Sequence, residues 1–330
     1  MSVPIVKVPG TTGLGLMNFT WKPTPTKFED AFKIMLQAIE QGATFWNAGE
    51  FYGMNSSELN LELLQAFFAK YPETRSKVVI SVKGGLKQMI PDSSRENLIK
   101  SVDNIIRFFP GNYIDLFEPA RLDGKVPIEE VVSTLAELVK AGKIRGISLS
   151  EVNAETLRRA AKVHQISAVE VEFSLVTRNP LENGLLKTAF ENNVTVVAYS
   201  PLGRGFLSGH LKSLADLPEN DIRRHMDRFN TEEYFNHNLK FLERLEPIAA
   251  KKGITLAQLA LAWVRYFSGK PGFPQVIPIP SVSTSVERLI ENVTDVGLTE
   301  AEFKEVQEVV DSFEIKGGRA NAMMETFMDM

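Results

Sequence analysis

Asn47-Ala48-Gly49-Glu50-Phe51-Tyr52-Gly53 decides how this chain is read, because it lies where an extended run gives way to a helical one. The β-type residues Ala43-Thr44-Phe45-Trp46 precede it, and Ser56-Ser57-Glu58, followed by Leu59, Leu61, Leu63 and Leu64, predicts a capped helix after it. Tyr52 therefore sits in a strand-to-helix loop. A phenol there either covers the core or faces a ligand, and the rest of the chain decides between the two.

The same unit recurs outward from this point. Strands are expected at Gly13–Met17, Ala43–Trp46, Val79–Val82, Tyr113–Phe117, Ile144–Ile147, Ala168–Val171, Val194–Ala198 and Val276–Ile279. Helix-period segments fall between or beside them, at Phe28–Ile39, Leu98–Phe108, Val131–Val139 and Leu157–Val163, and later at Leu242–Ala250, Leu256–Phe267 and Glu302–Phe313. Eight such units imply a (β/α)8 TIM barrel, a single domain over residues 1–330.

An open doubly wound sheet is the rival. It advertises its phosphate site by a glycine-rich turn after the first strand, whereas Gly13 and Gly15 lie inside the expected strand, so they read as close backbone packing. A barrel also requires its chemistry to gather after strand C-termini. Asn47 and Tyr52 follow the second strand, Lys83 the third, Ala120 and Arg121 the fourth and Ser148 the fifth. Glu170 and Glu172 follow the sixth, Tyr199 and Ser200 the seventh, and Ser281 the eighth. A stretch without periodicity from Pro201 to about Asn238 reads as a long loop over the same face, and residues 314–330 as a tail that is in part disordered or drapes the barrel mouth.

Composition bounds the rest. The chain has 330 residues, 44% of them hydrophobic and 24% charged, and a net charge of −4, which fits a soluble globular protein with a large core. With no cysteine, a disulfide framework and a thiolate nucleophile are excluded. The four histidines, His164, His210, His225 and His237, lack ligand spacing, so no metal is expected and solvent-facing or capping roles are. Mild acidity spread along the chain speaks against nucleic acid, and no apolar run is long enough for a membrane span. Met1 to Gly10 show no basic segment leading into an apolar one, so no secretory signal is read and a cytoplasmic location, with the nucleus also open, is the expectation; the oligomeric state is left open with a monomer slightly favoured.

Taken in order, the junctions resemble the aldo-keto reductases over nearly the whole chain. The resemblance rests on Phe51-Tyr52-Gly53, Lys83, Asp115-Leu116-Phe117, Gly142-Lys143-Ile144-Arg145-Gly146-Ile147-Ser148, Glu172-Phe173-Ser174, the run from Ala198 through Gly209, and Ile277-Pro278-Ile279-Pro280 leading to Glu291-Asn292. It implies NADPH (or NADP+ in reverse) as cofactor, an aldehyde as small-molecule substrate, Tyr52 as proton donor and Lys83 as its tuning partner. A phenol with a pKa near 10 is a poor acid at neutral pH, and an adjacent ammonium stabilises the phenolate left behind.

Two positions depart from the family's tetrad: Asn47 stands where Asp is usual, and Ala120 where His is usual. Asparagine accepts a hydrogen bond from Lys83 but brings no charge, and alanine cannot polarise a carbonyl. The departures, read with Phe117-Glu118-Pro119-Ala120-Arg121 and Gly146-Ile147-Ser148-Leu149-Ser150-Glu151, resemble the fungal pyridoxal reductases within the family, which implies reduction of pyridoxal to pyridoxine. Trp21, Glu118, Ala120 and Arg121 are the implied substrate-pocket residues.

For the cofactor, the resemblance stacks the nicotinamide on Tyr199, with Ser148, Glu170 and the Asn47 carboxamide as amide partners. Ser200 and the turn Leu202-Gly203-Arg204-Gly205, with backbone amides and a guanidinium, would take the pyrophosphate. The hydroxyl-rich helix start at Ser283-Thr284-Ser285, with Arg288, Glu291 and Asn292, would take the adenosine end and its 2′-phosphate. Two alternatives stay open: a broad aldehyde reductase, and a cofactor-binding regulatory subunit like the potassium-channel β subunits.

Overall fold

The computed structural model describes residues 5–54, 56–219, 221–282, 284–320, 326 and 328. Eight parallel strands follow one another around a sheet: β1 (Leu14–Gly15), β2 (Phe45–Gly49), β3 (Val79–Gly84), β4 (Ile114–Pro119), β5 (Ile144–Ser150), β6 (Ile166–Glu172), β7 (Thr195–Tyr199) and β8 (Val276–Pro278). The sheet curls until its ends meet: the amides of Gly13 and Gly15 donate to Pro278 O at 2.9 Å and Pro280 O at 3.1 Å. Both glycines are needed for that seam. A Cβ on Gly13 would lie 2.7 Å from Phe45 O, and one on Gly15 would lie 3.1 Å from Ile279 O.

Alternation along the strands builds two cores. Outward-facing Trp46, Ile80, Phe117, Ile147, Val169 and Val196 pack under the surrounding helices in one large cluster. Inside the barrel a smaller cluster holds Val8, Phe45, Leu116, Ala168, Val197, Ile277 and Ile279. Two residues further along β2, β4, β6 and β7 stand Asn47, Glu118, Glu170 and Tyr199, so a polar layer rests on an apolar floor. Gly146 leaves room on the floor, since a Cβ there would come within 2.9 Å of Leu116 and 3.0 Å of Val6.

The helices that follow the strands run Phe28–Glu40, Leu59–Lys70, Arg95–Ile106, Ile128–Lys140, Ala154–Val163, Leu185–Glu191, Glu232–Lys252, Leu256–Tyr266 and Val286–Val293, and Glu300–Asp311 closes the outer ring. Three local expectations are corrected. The helix after β2 begins at Leu59 with no side-chain cap from Glu58, so Ser56-Ser57 do not cap it. The long loop ends at Thr231, which caps the helix from Glu232 by accepting from the Tyr234 amide; the segment holds three 3-10 turns and the short helix Asp227–Asn230. β2 runs to Gly49, so Asn47 is part of the strand and not of the loop after it. A two-stranded hairpin, Leu86–Lys87 with Ile90–Pro91, follows β3 without a sequence signal that singled it out.

Of the tail, residues 314–320 cross the strand C-termini. Asn238 holds Lys316 through both backbone groups, Arg228 donates to Gly317 O, and His237 meets Glu314 O at 2.9 Å. Met323, Met324 and Met330 lie outside the described residues. No helix among the described residues is long and apolar enough to cross a membrane.

Candidate active site

Lys83 ends the inward face of β3 and is 5% exposed. Its ammonium donates to Asn47 Oδ1 at 3.1 Å, faces Glu118 Oε1 at 3.2 Å and contacts Glu170 Oε1. Asn47 Nδ2 closes the group by donating to Glu170 Oε2 at 2.5 Å. The other Glu118 oxygen accepts from Ser81 at 3.1 Å and Ser148 at 2.9 Å. Strand register makes this meeting necessary: Lys83 pairs with Gly49 on one side and Glu118 on the other.

Tyr52 sits directly above. A Cβ on Gly49 would lie 2.8 Å from its ring, so the glycine is the seat on which the phenol rests. Trp21 and Phe51 hold the ring from the sides at centroid distances of 5.4 and 5.1 Å. The loop is fixed in turn through Glu50, whose carboxylate accepts from Ser101 and Asn104 while Ser101 Oγ accepts from the Gly85 amide. The exits of β2 and β3 are thereby tied to one helix.

The electrostatics are those of a crowded buried site. Burial pulls the Lys83 ammonium down, but Glu118 and Glu170 outweigh it and hold it above its ordinary value. One ammonium does not keep two buried carboxylates charged, and Glu170 shows it. Burial first, then the Glu118 charge, pushes Glu170 up to about 8 against the pull of Lys83. For Tyr52, burial raises the phenol above 10; Lys83 and Arg121 oppose, while Glu170 and Glu118 reinforce.

Ala120 is buried at the β4 exit, its amide bonded to Gly84 O at 2.9 Å. Beside it Arg121 donates to Ala120 O at 2.6 Å and Ser150 Oγ at 3.0 Å, which holds the guanidinium at the mouth. Tyr199, half-buried at the end of β7, has a buried hydroxyl without a hydrogen-bond partner, and burial lifts that phenol well above its usual value. Arg204 likewise has a buried Nε without a partner. Gly203, Arg204 and Gly205 all adopt left-handed backbone, with φ of 54°, 57° and 90°, so the turn folds back on itself as a concave cradle.

The orphaned Tyr199 hydroxyl and Arg204 Nε are polar groups that a nucleotide cofactor could engage, and two sequence expectations for its site are corrected. Gly203 and Gly205 amides are bonded within the turn, to Ser200 O and Leu202 O, and are not free for pyrophosphate. Of the residues expected at the carboxamide, Asn47 and Glu170 are bonded to each other and to Lys83, and Ser148 donates to Glu118. At the far end, Ser285 caps the helix from Val286 and donates to Glu287, Glu291 accepts from Thr255, and Asn292 is buried. Thr284 and Arg288 are exposed there, and Ser283 lies outside the described residues.

Several site residues were not singled out from the sequence. Ser81 and Ser150 hold Glu118 and Arg121, and period-two spacing from Lys83 and Ser148 was their signal. Glu151 receives Arg319 from the tail at 3.2 and 2.8 Å in a buried bidentate pair, a meeting of residues 168 apart that no local pattern encodes.

Comparison with known proteins bears on the whole arrangement. A Schizosaccharomyces pombe protein named "Probable pyridoxal reductase 2" is 38% identical over 330 residues, covering 97% of each chain. An aldo-keto reductase of the same yeast, yakc, named for NADP(+), is 35% identical and covers 100% of this chain and 98% of its own. The glycerol dehydrogenase of Gluconobacter oxydans shares the fold, with a TM-score of 0.79 over 96% of this chain and 98% of its own at 22% identity. The model of the Aldo/keto reductase family matches residues 11–311, and with the barrel and its polar layer this establishes that the chain belongs to that family of oxidoreductases.

Proposed function

We propose that this protein uses NADPH to reduce an aldehyde to an alcohol, and that pyridoxal, giving pyridoxine, is its substrate. The observation that carries the reading is Tyr52 seated on Gly49, the cross-strand neighbour of Lys83, at the mouth of a buried polar layer. When bound, the reduced nicotinamide supplies the hydride that the carbonyl carbon accepts. Tyr52 gives its proton to the carbonyl oxygen, and Lys83 and Arg121 offset the charge of the phenolate until solvent reprotonates it.

The half-buried Tyr199 ring offers a flat face for the nicotinamide, Arg204 a guanidinium for the pyrophosphate, and exposed Arg288 a partner for the 2′-phosphate. Support for the cofactor comes from the relative named for NADP(+), and for the substrate from the relative named as a pyridoxal reductase.

Ala120 supplies no donor but frees space beside the carbonyl, and pyridoxal carries a phenolic hydroxyl ortho to its aldehyde. That hydroxyl can bond the developing alkoxide, a contribution of about 2.7–4 kcal/mol for one preorganised donor. The test compares kcat/KM for pyridoxal and its 3-deoxy analogue, in the native protein and in Ala120→His. The analogue is expected to be poorer by about a hundredfold or more in the native protein, with the gap narrowed by the histidine. Near-equal native rates would favour a broad aldehyde reductase instead.

A further inference from the structure

The charges around Lys83 do not resemble those of a lysine whose task is to make its neighbour a strong acid. A single carboxylate would balance the ammonium, yet two reach it, Glu118 from β4 at 3.2 Å and Glu170 from β6 in direct contact, while neutral Asn47 from β2 takes a third position at 3.1 Å. All four side chains are buried, with exposures of 5% or less. In so dry a site, charges are screened less than in water and the second carboxylate is felt strongly.

Tyr52 stands over this group. The charged side chains that face it are Lys83 from β3, Glu118 and Arg121 from β4 and its exit, and Glu170 from β6. Glu170 in turn faces Glu118, Lys83 and Arg121, and it is bonded to Asn47. Both Glu170 oxygens are engaged, one by Lys83 and one by Asn47, so its carboxylate is fixed beside the ammonium and cannot swing away when it ionises.

We propose that Glu170 is a positioning residue that sets the charge of the site: once ionised, it joins Glu118 in outweighing Lys83, keeps Tyr52 as a neutral phenol, and so commits the barrel to giving a proton rather than taking one. This deepens the proposed reduction and rests on it. Reduction needs the Tyr52 O–H, whose proton goes to the carbonyl oxygen as the carbonyl carbon accepts hydride. Alcohol oxidation needs the phenolate, which takes the hydroxyl proton as hydride leaves the carbon. A second negative charge opposite Tyr52 therefore favours the first direction in the alkaline range where Glu170 is ionised.

The experiment titrates Tyr52 in the cofactor-free full chain by tyrosinate ultraviolet absorbance, isolating its signal from the six tyrosines by subtracting Tyr52→Phe. Glu170→Gln keeps shape and one acceptor oxygen for Lys83, gives up the bond accepted from Asn47, and removes the charge. It is expected to move the Tyr52 titration down by about one pH unit, tenfold in proton affinity, and to move the rising limb of pyridoxine oxidation down with it. Glu118→Gln is expected to shift the titration in the same direction, which protects the test if one variant folds poorly. An unchanged or raised titration in both variants would overturn the proposal. A lowered titration without turnover of any aldehyde would support the charge arrangement and tell against the proposed function, so the two fail separately.

Discussion

The two ends of the barrel mouth are built on opposite terms. At β2, β3, β4 and β6, Lys83 lies buried with three side-chain oxygen partners in place before any ligand arrives. At β8, Arg288 is exposed; its backbone amide serves the Ser285 cap, and its guanidinium faces solvent. A charge in a low-dielectric interior must arrive paired, because an unpaired one costs several kcal/mol, whereas a hydrated surface charge loses little by waiting for a ligand. The reacting end is therefore preorganised, and the end expected to hold the 2′-phosphate is completed by what binds to it.

Four changes break or sharpen that contrast. Tyr52→Phe removes the proton donor, so kcat is expected to fall by about 10²–10⁴-fold while NADPH affinity, measured by fluorescence titration, stays within about twofold. Lys83→Met leaves Glu118 and Glu170 facing each other without a cation. Denaturant unfolding is expected to show a loss of about 3–5 kcal/mol, and Arg288→Met a change within about 0.5 kcal/mol. Equal stability losses at the two positions would erase the distinction. Arg288→Ala is expected to weaken NADPH by about 1.5–3 kcal/mol, the range for a charged hydrogen bond, and to leave NADH nearly unaffected. Equal losses for both cofactors would remove Arg288 from the phosphate.

The smallest effect is a slope. Glu170 is raised from 4.5 to about 8, so the folded state holds a proton that the unfolded state has released, and this group's contribution to stability falls as pH rises through that window. Lys83, held above its ordinary value, keeps its proton throughout it. Between pH 7 and 8 the native protein should lose up to about 1.4 kcal/mol relative to Glu170→Gln, the worth of one proton over one unit. A parallel pH dependence in both proteins would contradict the shift.

Much of this was legible in the sequence, for reasons that particular residues make plain. Strands with period-two inward faces and helices such as Ile128–Lys140 carry their patterns locally, so eight units and the junctions bearing Tyr52, Lys83 and Arg121 could be found. Gly13 and Gly15 were legible as close packing because glycine inside a strand has few other uses. What the sequence withheld were partnerships across the barrel. From the sequence Glu170 reads as a carboxamide partner at a strand end, and only barrel closure brings it to Lys83, 87 residues away. The same is true of Arg319 with Glu151, and of the amides of Gly203 and Gly205, whose use inside their own turn depends on left-handed backbone at Arg204. Long-range pairing of charges is decided by topology, and a local pattern does not contain it.

The most direct test of the whole account is the stoichiometry of NADPH and pyridoxal with the purified full chain. NADPH loss is followed by absorbance, and the product is separated and identified by chromatography. One pyridoxine is expected for each NADPH consumed, with turnover lowered by about 10²–10⁴-fold in Tyr52→Phe. NADPH that binds tightly yet is consumed with neither pyridoxal nor any other aldehyde would contradict it, and would leave the barrel as a cofactor-binding subunit without catalysis.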